Sequence, residues 1–203
     1  MQYKTPLGNI HLWFPRSVYV ADKLLLDELS TLENSCKNII EGVGTLKNNM
    51  LSVNSTHKTN SNLYNHSEFK ILKDEILKHS KNYLLEIGYS AEYLENLKFT
   101  NMWCNVSKEH DFIFPHVHSN SLLSGVFYIK SSVPNKIKFF KDPSNMLAKP
   151  QEYNIFNYEY CDYDCLPGRL LLFLSDFLHG NERQESNEKI AVSFNLSCIE
   201  YGH

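Results

Sequence analysis

Residues 114–130 read FPHVHSNSLLSGVFYIK, and this stretch, taken with GRLLLFLSDFLHG at 168–180 and KIAVSFN at 189–195, decides the fold. In each, β-branched and aromatic residues form short apolar runs bounded by Pro, Asn, Asp or Gly, the composition of strands ended by turns. Working outward, the same punctuation predicts strands at about 98–106, 112–119, 122–131, 136–141, 153–160, 169–175, 178–183 and 188–199. Strands in this number behind a helical N-terminal layer predict a mainly β fold with N-terminal helices, a double-stranded β-helix of the jelly-roll, cupin-like kind.

The N-terminal half reads differently. A short strand is expected from Ile10 to Phe14, and Leu25, Leu29 and Leu32 give residues 18–34 a helical stripe with Asp22 as its cap or first-turn acid. Phe69, Leu72, Ile76, Tyr83 and Ile87 recur near a helical period between a Ser67 cap and Gly88, and Tyr89 to Asn96 add a short third helix. Between them residues 42–65, rich in Asn, Ser, Thr and Lys, read as a polar loop remote from catalysis. No repeat or linker divides the chain, so residues 1–203 are expected to form a single domain, with a helical layer at 1–97 and the β-helix at 98–203.

Bulk properties narrow the function. At 203 residues and 42% hydrophobic content the chain can bury a core without staples. A net charge of -3 without a dense Lys/Arg block speaks against a nucleic-acid or membrane partner and for a small-molecule or peptide substrate. The five cysteines, odd in number and scattered, fit a reducing, cytoplasmic compartment better than a disulfide framework. No apolar run is long enough to span a membrane, and no secretory leader is expected. Edge strands leave room for a homodimer.

Histidines carry the chemistry. Alternate residues of an extended strand face one side, so His116 and His118 can converge on one ion, and a jelly roll can bring His179, after the apolar strand Leu170 to Leu174, to the same place. Two alternating histidines can equally be ordinary strand residues facing solvent. A pairing of His118 with Asn120 would leave His116 unused, and Asp111, Asp142 and Asp176 read as turn acids. Lys189, opening a strand, can grip a carboxylate or simply be solvated. Cys161 and Cys165 lack a second ligand pair and read as free loop thiols. Gly125 inside a strand marks a bulge or a close backbone approach. His11, His57, His66, His79, His110 and His203 are dispersed and read as surface residues.

These strings, with Asn101, Trp103 and Asn105 upstream, resemble the 2-oxoglutarate- and Fe(II)-dependent oxygenases of marine bacteria and their phages over roughly residues 99–197, and more distantly the prolyl 4-hydroxylases. In that superfamily a His-x-Asp/Glu pair and a distant His hold the metal. The resemblance implies that His116, His118 and His179 are the catalytic metal ligands, with His118 in the carboxylate place. It further implies that Lys189 and Tyr128 grip 2-oxoglutarate, with weaker contacts from Ser193 and Asn105. Ala191 stands where many relatives carry a serine, and Ser193 on the same face can compensate. The implied activity is hydroxylation of a small molecule or peptide using Fe(II), 2-oxoglutarate and O2. His118 keeps two alternatives open: a three-histidine iron dioxygenase without 2-oxoglutarate, and a non-enzymatic jelly-roll metal-binding module.

Overall fold

The computed structural model describes residues 2–41, 43, 45–47, 51–132, 135–141, 150–185 and 188–198. Asp142, His203 and the last residue of the strand expected at 188–199 lie outside them. In chain order the elements are β1 (Gln2–Lys4), β2 (Asn9–His11), β3 (Val18–Ala21), α1 (Leu29–Ile40), β4 (Thr45–Lys47), β5 (Leu51–Ser55), α2 (Lys70–Glu86), α3 (Ala91–Leu94), β6 (Lys98–Ser107) and β7 (Phe112–His116). They continue with β8 (Leu123–Ser131), β9 (Lys136–Phe140), β10 (Tyr160–Asp164), β11 (Leu170–Leu174), β12 (His179–Asn181) and β13 (Lys189–Ser197).

The strands β1 and β2 form a separate hairpin. The rest build one antiparallel sheet in the order β10-β9-β12-β7-β5-β6-β13-β8-β11-β3, with β4 on β5. A sheet this long cannot stay flat. It curls until its two halves face each other: β9 and β11 lie far apart in that order, yet the rings of Phe139 and Phe173 are 4.9 Å apart. This is the expected jelly roll.

Alternation along β11 shows how the layers are held. Leu170 and Leu172 join the outer core with Leu32 and Cys36 of α1 and Leu72 and Ile76 of α2. Leu171 and Phe173 face the other way, into the inner core with Val126, Ile137 and Phe139. A strand buried on both faces reads as a continuous apolar run, which is why LLLFL has no polar alternation. Gly125 sits opposite Leu172 on β8; a Cβ there would lie 2.4 Å from the Phe194 ring and 2.7 Å from the Leu171 carbonyl, the close approach its strand position suggests.

Several expectations are corrected. Residues 18–21 are not helix but β3, pairing with β11 from Val18↔Phe173 to Ala21↔Leu170. Their β-branched and aromatic character suits the free edge of that strand, and left-handed backbone at Lys23 and Leu25 breaks the chain before α1 begins at Leu29. Asp22 does not cap; its carboxylate accepts from Arg169 Nε (2.6 Å) and a second guanidinium nitrogen (3.0 Å). The strand expected at 153–160 lies instead at Tyr160–Asp164, where it pairs with β9, so Cys161 is in a strand rather than a loop. The supposed loop 42–65 contains β4 and β5, the latter paired with β6 and β7. The opening strand is Asn9–His11, and Ser67 begins a 3-10 turn without capping it by its side chain. Gly88 ends α2 at φ 100° as read, and Ser90 caps α3 by accepting from the Tyr93 amide (3.2 Å).

Candidate metal centre

The histidines meet because of register. β7 and β12 are antiparallel neighbours in which His116 stands directly opposite His179. His118 follows the end of β7 and is fixed by its amide, which donates to the Ser175 carbonyl (2.8 Å). Ring centroids are 4.5 Å apart for His116 and His179, 4.9 Å for His116 and His118, and 5.2 Å for His118 and His179. One ring nitrogen from each lies within 4.8 Å of the other two, and among the described residues no other such group is found.

Hydrogen bonds orient two of the rings. Nδ1 of His116 lies 2.9 Å from the Phe114 carbonyl and Nδ1 of His179 lies 2.8 Å from that of Phe177. A carbonyl only accepts, so Nδ1 carries the proton and Nε2 presents its lone pair, the tautomer a metal ligand needs. Burial, reinforced by His116, pushes His179 down to about 3; burial, with His116 and then His57 adding, pushes His118 down to about 4. Both are therefore neutral at neutral pH. A set of three imidazole ligands suits a late first-row divalent ion and leaves coordination positions open, so these residues fit a non-haem iron centre.

The trio borders a cavity of about 340 Å³. Lys189, Tyr128, Ser193 and Asn105 all line it, so the structure brings every sequence-predicted site residue to one cavity. Lys189, Ala191 and Ser193 alternate along β13 and share that face. Lys189 is 5% exposed and has no carboxylate ion-pair partner among the described residues. Loss of hydration lowers its pKa, and Cys165 and then Asp111 oppose that shift. Tyr128 is buried, its hydroxyl a hydrogen-bonding neighbour of the buried Cys165 thiol. Asn105 Nδ2 donates to Ser193 Oγ (3.1 Å), leaving the serine proton free to point into the cavity.

Asn120 and Asp176 are not part of this lining, and Asp111 is a turn acid that accepts from Ser52 Oγ (3.0 Å) and the Lys108 amide (2.8 Å). Sequence reasoning missed Ser55, His57 and Lys58, which reach the cavity from β5 and the turn after it. The available signal was the apolar alternation Leu51, Val53 inside a polar tract. It also missed Cys165, which lies 1% exposed behind Tyr128.

Comparison with known proteins agrees with this fold. Residues 101–195 match the family model described as "Putative 2OG-Fe(II) oxygenase". No curated protein gives a significant sequence match. Among solved structures, a Pseudomonas putida prolyl-4-hydroxylase superposes with TM-score 0.58 at 12% identity, covering 90% of this chain and 92% of that one. A viral collagen prolyl hydroxylase from Paramecium Bursaria Chlorella virus-1, in its 2OG complex, gives 0.56 at 14% identity over 89% and 96%. HygX from Streptomyces hygroscopicus, with nickel and 2-oxoglutarate bound, gives 0.59 at 9% identity over 90% and 83%. At these identities the superpositions speak to the shared jelly roll.

Proposed function

We propose that this chain, whose residues 101–195 match the 2OG-Fe(II) oxygenase family model, is such an oxygenase, holding Fe(II) on His116, His118 and His179 and receiving the distal carboxylate of 2-oxoglutarate at Lys189. The observation that carries the reading is the pairing, in one cavity, of three imidazoles within ligand distance and a buried ammonium that has no carboxylate ion-pair partner among the described residues. Iron and 2-oxoglutarate together supply the oxidising chemistry, with O2 consumed and succinate and CO2 released.

The chain's own residues bind, orient and shield. Nδ1–H bonds to backbone carbonyls hold the His116 and His179 rings and leave Nε2 of each free to hold the metal. Lys189 gives a charge-assisted bond to the carboxylate, and Tyr128, held beside it by Cys165, adds a hydroxyl. Ser193, steadied by Asn105, supplies the hydrogen bond that Ala191 cannot. Phe173 and Phe139 pack against the His179 ring at 4.5 and 6.0 Å and exclude water on that side. The cysteines described are all free thiols, which fits a cytoplasmic, reducing setting.

A second reading, a three-histidine dioxygenase without 2-oxoglutarate, is favoured by His118 alone. Purified protein with Fe(II), 2-oxoglutarate and O2 separates the two. The proposed function predicts succinate release that rises with a true substrate and falls at least about tenfold in Lys189→Ala, the size of a charged hydrogen bond. Iron-dependent turnover indifferent to that substitution and to 2-oxoglutarate would establish the second reading instead.

A further inference from the structure

The turn after β5 is built into the cavity wall rather than laid over it. The Thr56 amide donates to the Cys104 carbonyl (3.1 Å), the Cys104 amide returns a bond to Thr56 Oγ1 (3.2 Å), and the Asn60 amide closes the turn on the Thr56 carbonyl (2.7 Å). This fixes His57 and Lys58 at the cavity. The His57 ring packs 4.5 Å from that of Trp103, and its amide donates to Ser55 Oγ (3.2 Å).

The electrostatics of the wall are one-sided. Among the described residues lining the cavity none is Asp or Glu, while Lys58 and Lys189 are both cationic. No acidic side chain pairs with Lys58 among the described residues. The ligand set adds to the imbalance, because His118 brings no negative charge where a carboxylate ligand would. Lys189 is committed to the co-substrate, and a divalent ion with dianionic 2-oxoglutarate is neutral. Both lysine charges then remain for whatever else enters, Lys189 buried within the cavity and Lys58 exposed at its mouth beside Trp103.

On the basis of the proposed function, we infer that the primary substrate carries an acidic group, a carboxylate or a phosphate, which Lys58 receives at the cavity wall while Trp103 covers the apolar body beside it. His57 offers a ring N–H to the same group. The class this selects is a compact organic acid or phosphate ester with an apolar portion.

The test uses full-length protein carrying Zn(II) and the inert 2-oxoglutarate analogue N-oxalylglycine, so that the place at Lys189 is filled. In a Trp13→Phe background Trp103 is the sole tryptophan, and its fluorescence reports binding of phenylacetate, phenyl phosphate and the neutral phenylacetamide. At least one acid should bind about fivefold or more tighter than the amide, the gain expected of one partly solvated charge pair. Lys58→Met should abolish that preference and Lys58→Glu invert it. Whichever acid binds tighter identifies the headgroup. Equal affinity for acids and amide, no binding by either acid, or a preference that survives Lys58→Glu would overturn the inference alone. Failure of N-oxalylglycine to bind the Zn(II)-loaded protein would overturn the functional reading and this inference with it.

Discussion

An ammonium group at 5% exposure gives up most of its hydration, and among the described residues no carboxylate forms an ion pair with Lys189 to replace it, Asp111 acting only from a distance. The ligand-free protein carries that penalty until an anion arrives. Lys189→Met, close in shape and uncharged, is therefore expected to leave the melting temperature of the ligand-free protein equal or higher, while raising the KM for 2-oxoglutarate more than about tenfold. A fall in melting temperature with unchanged KM would make the lysine structural. The histidines obey a related rule with protons. His118 and His179, held down to about 4 and about 3 from the usual 6.5, are neutral when folded and take up protons on unfolding. Stability of the metal-free protein should consequently be full above about pH 6.5 and decline as pH falls toward 4. Thermal melts across that window check it, and Zn(II) should add stability at pH 7 but progressively less on acidification.

At the scale of elements, the centre depends on how closely β12 lies against β7. A Cβ on Gly180 would come within 2.8 Å of the Ile113 carbonyl oxygen, 2.9 Å of the Pro115 nitrogen and 3.0 Å of the Phe114 carbonyl carbon. All three are backbone atoms of β7, so Gly180→Ala must part the strands that set His179 opposite His116. The expected result is metal affinity lowered at least about tenfold, read by calorimetry, with a stability loss of about 1–3 kcal/mol. Gly125→Ala strikes Phe194 and the Leu171 carbonyl on the other half of the sheet, and should cost similar stability while affecting the metal less. These elements also show what was legible in the sequence. His179 is legible because it follows the apolar run Leu170–Leu174, although its own strand is only the three residues HGN, and the strands carrying His116 and Lys189 announce themselves as apolar runs cut by turn residues. β3 and β5 do not, because four or five residues acquire strand geometry only by docking on β11 or β6. His57 and Lys58 join the site through the docking of β5, and Cys165 through the bond its amide donates to the Asn135 carbonyl (2.7 Å), contacts that no local pattern encodes.

For the molecule as a whole, the curled sheet solves two problems with one shape. Its outer face takes α1 and α2 and makes the main core; its inner face, narrowed by Phe139, Phe173 and Phe177, leaves one end open around the histidines. The edge strand β3 is tied to the turn before β11 by Arg169 and Asp22, far in sequence from each other. The core and the site are thus separable, and substitutions of the trio should empty the centre without unfolding the chain. On the proposed function, three imidazoles and one buried lysine form a joint site for iron and 2-oxoglutarate. Anaerobic calorimetric titration of 2-oxoglutarate into protein carrying a single equivalent of Fe(II) tests it most directly. Binding should be saturable and one-to-one, disappear when Fe(II) is omitted or His179 is replaced by alanine, and weaken at least about tenfold in Lys189→Ala. Binding of equal strength without the metal, or none with it, would rule out a joint site.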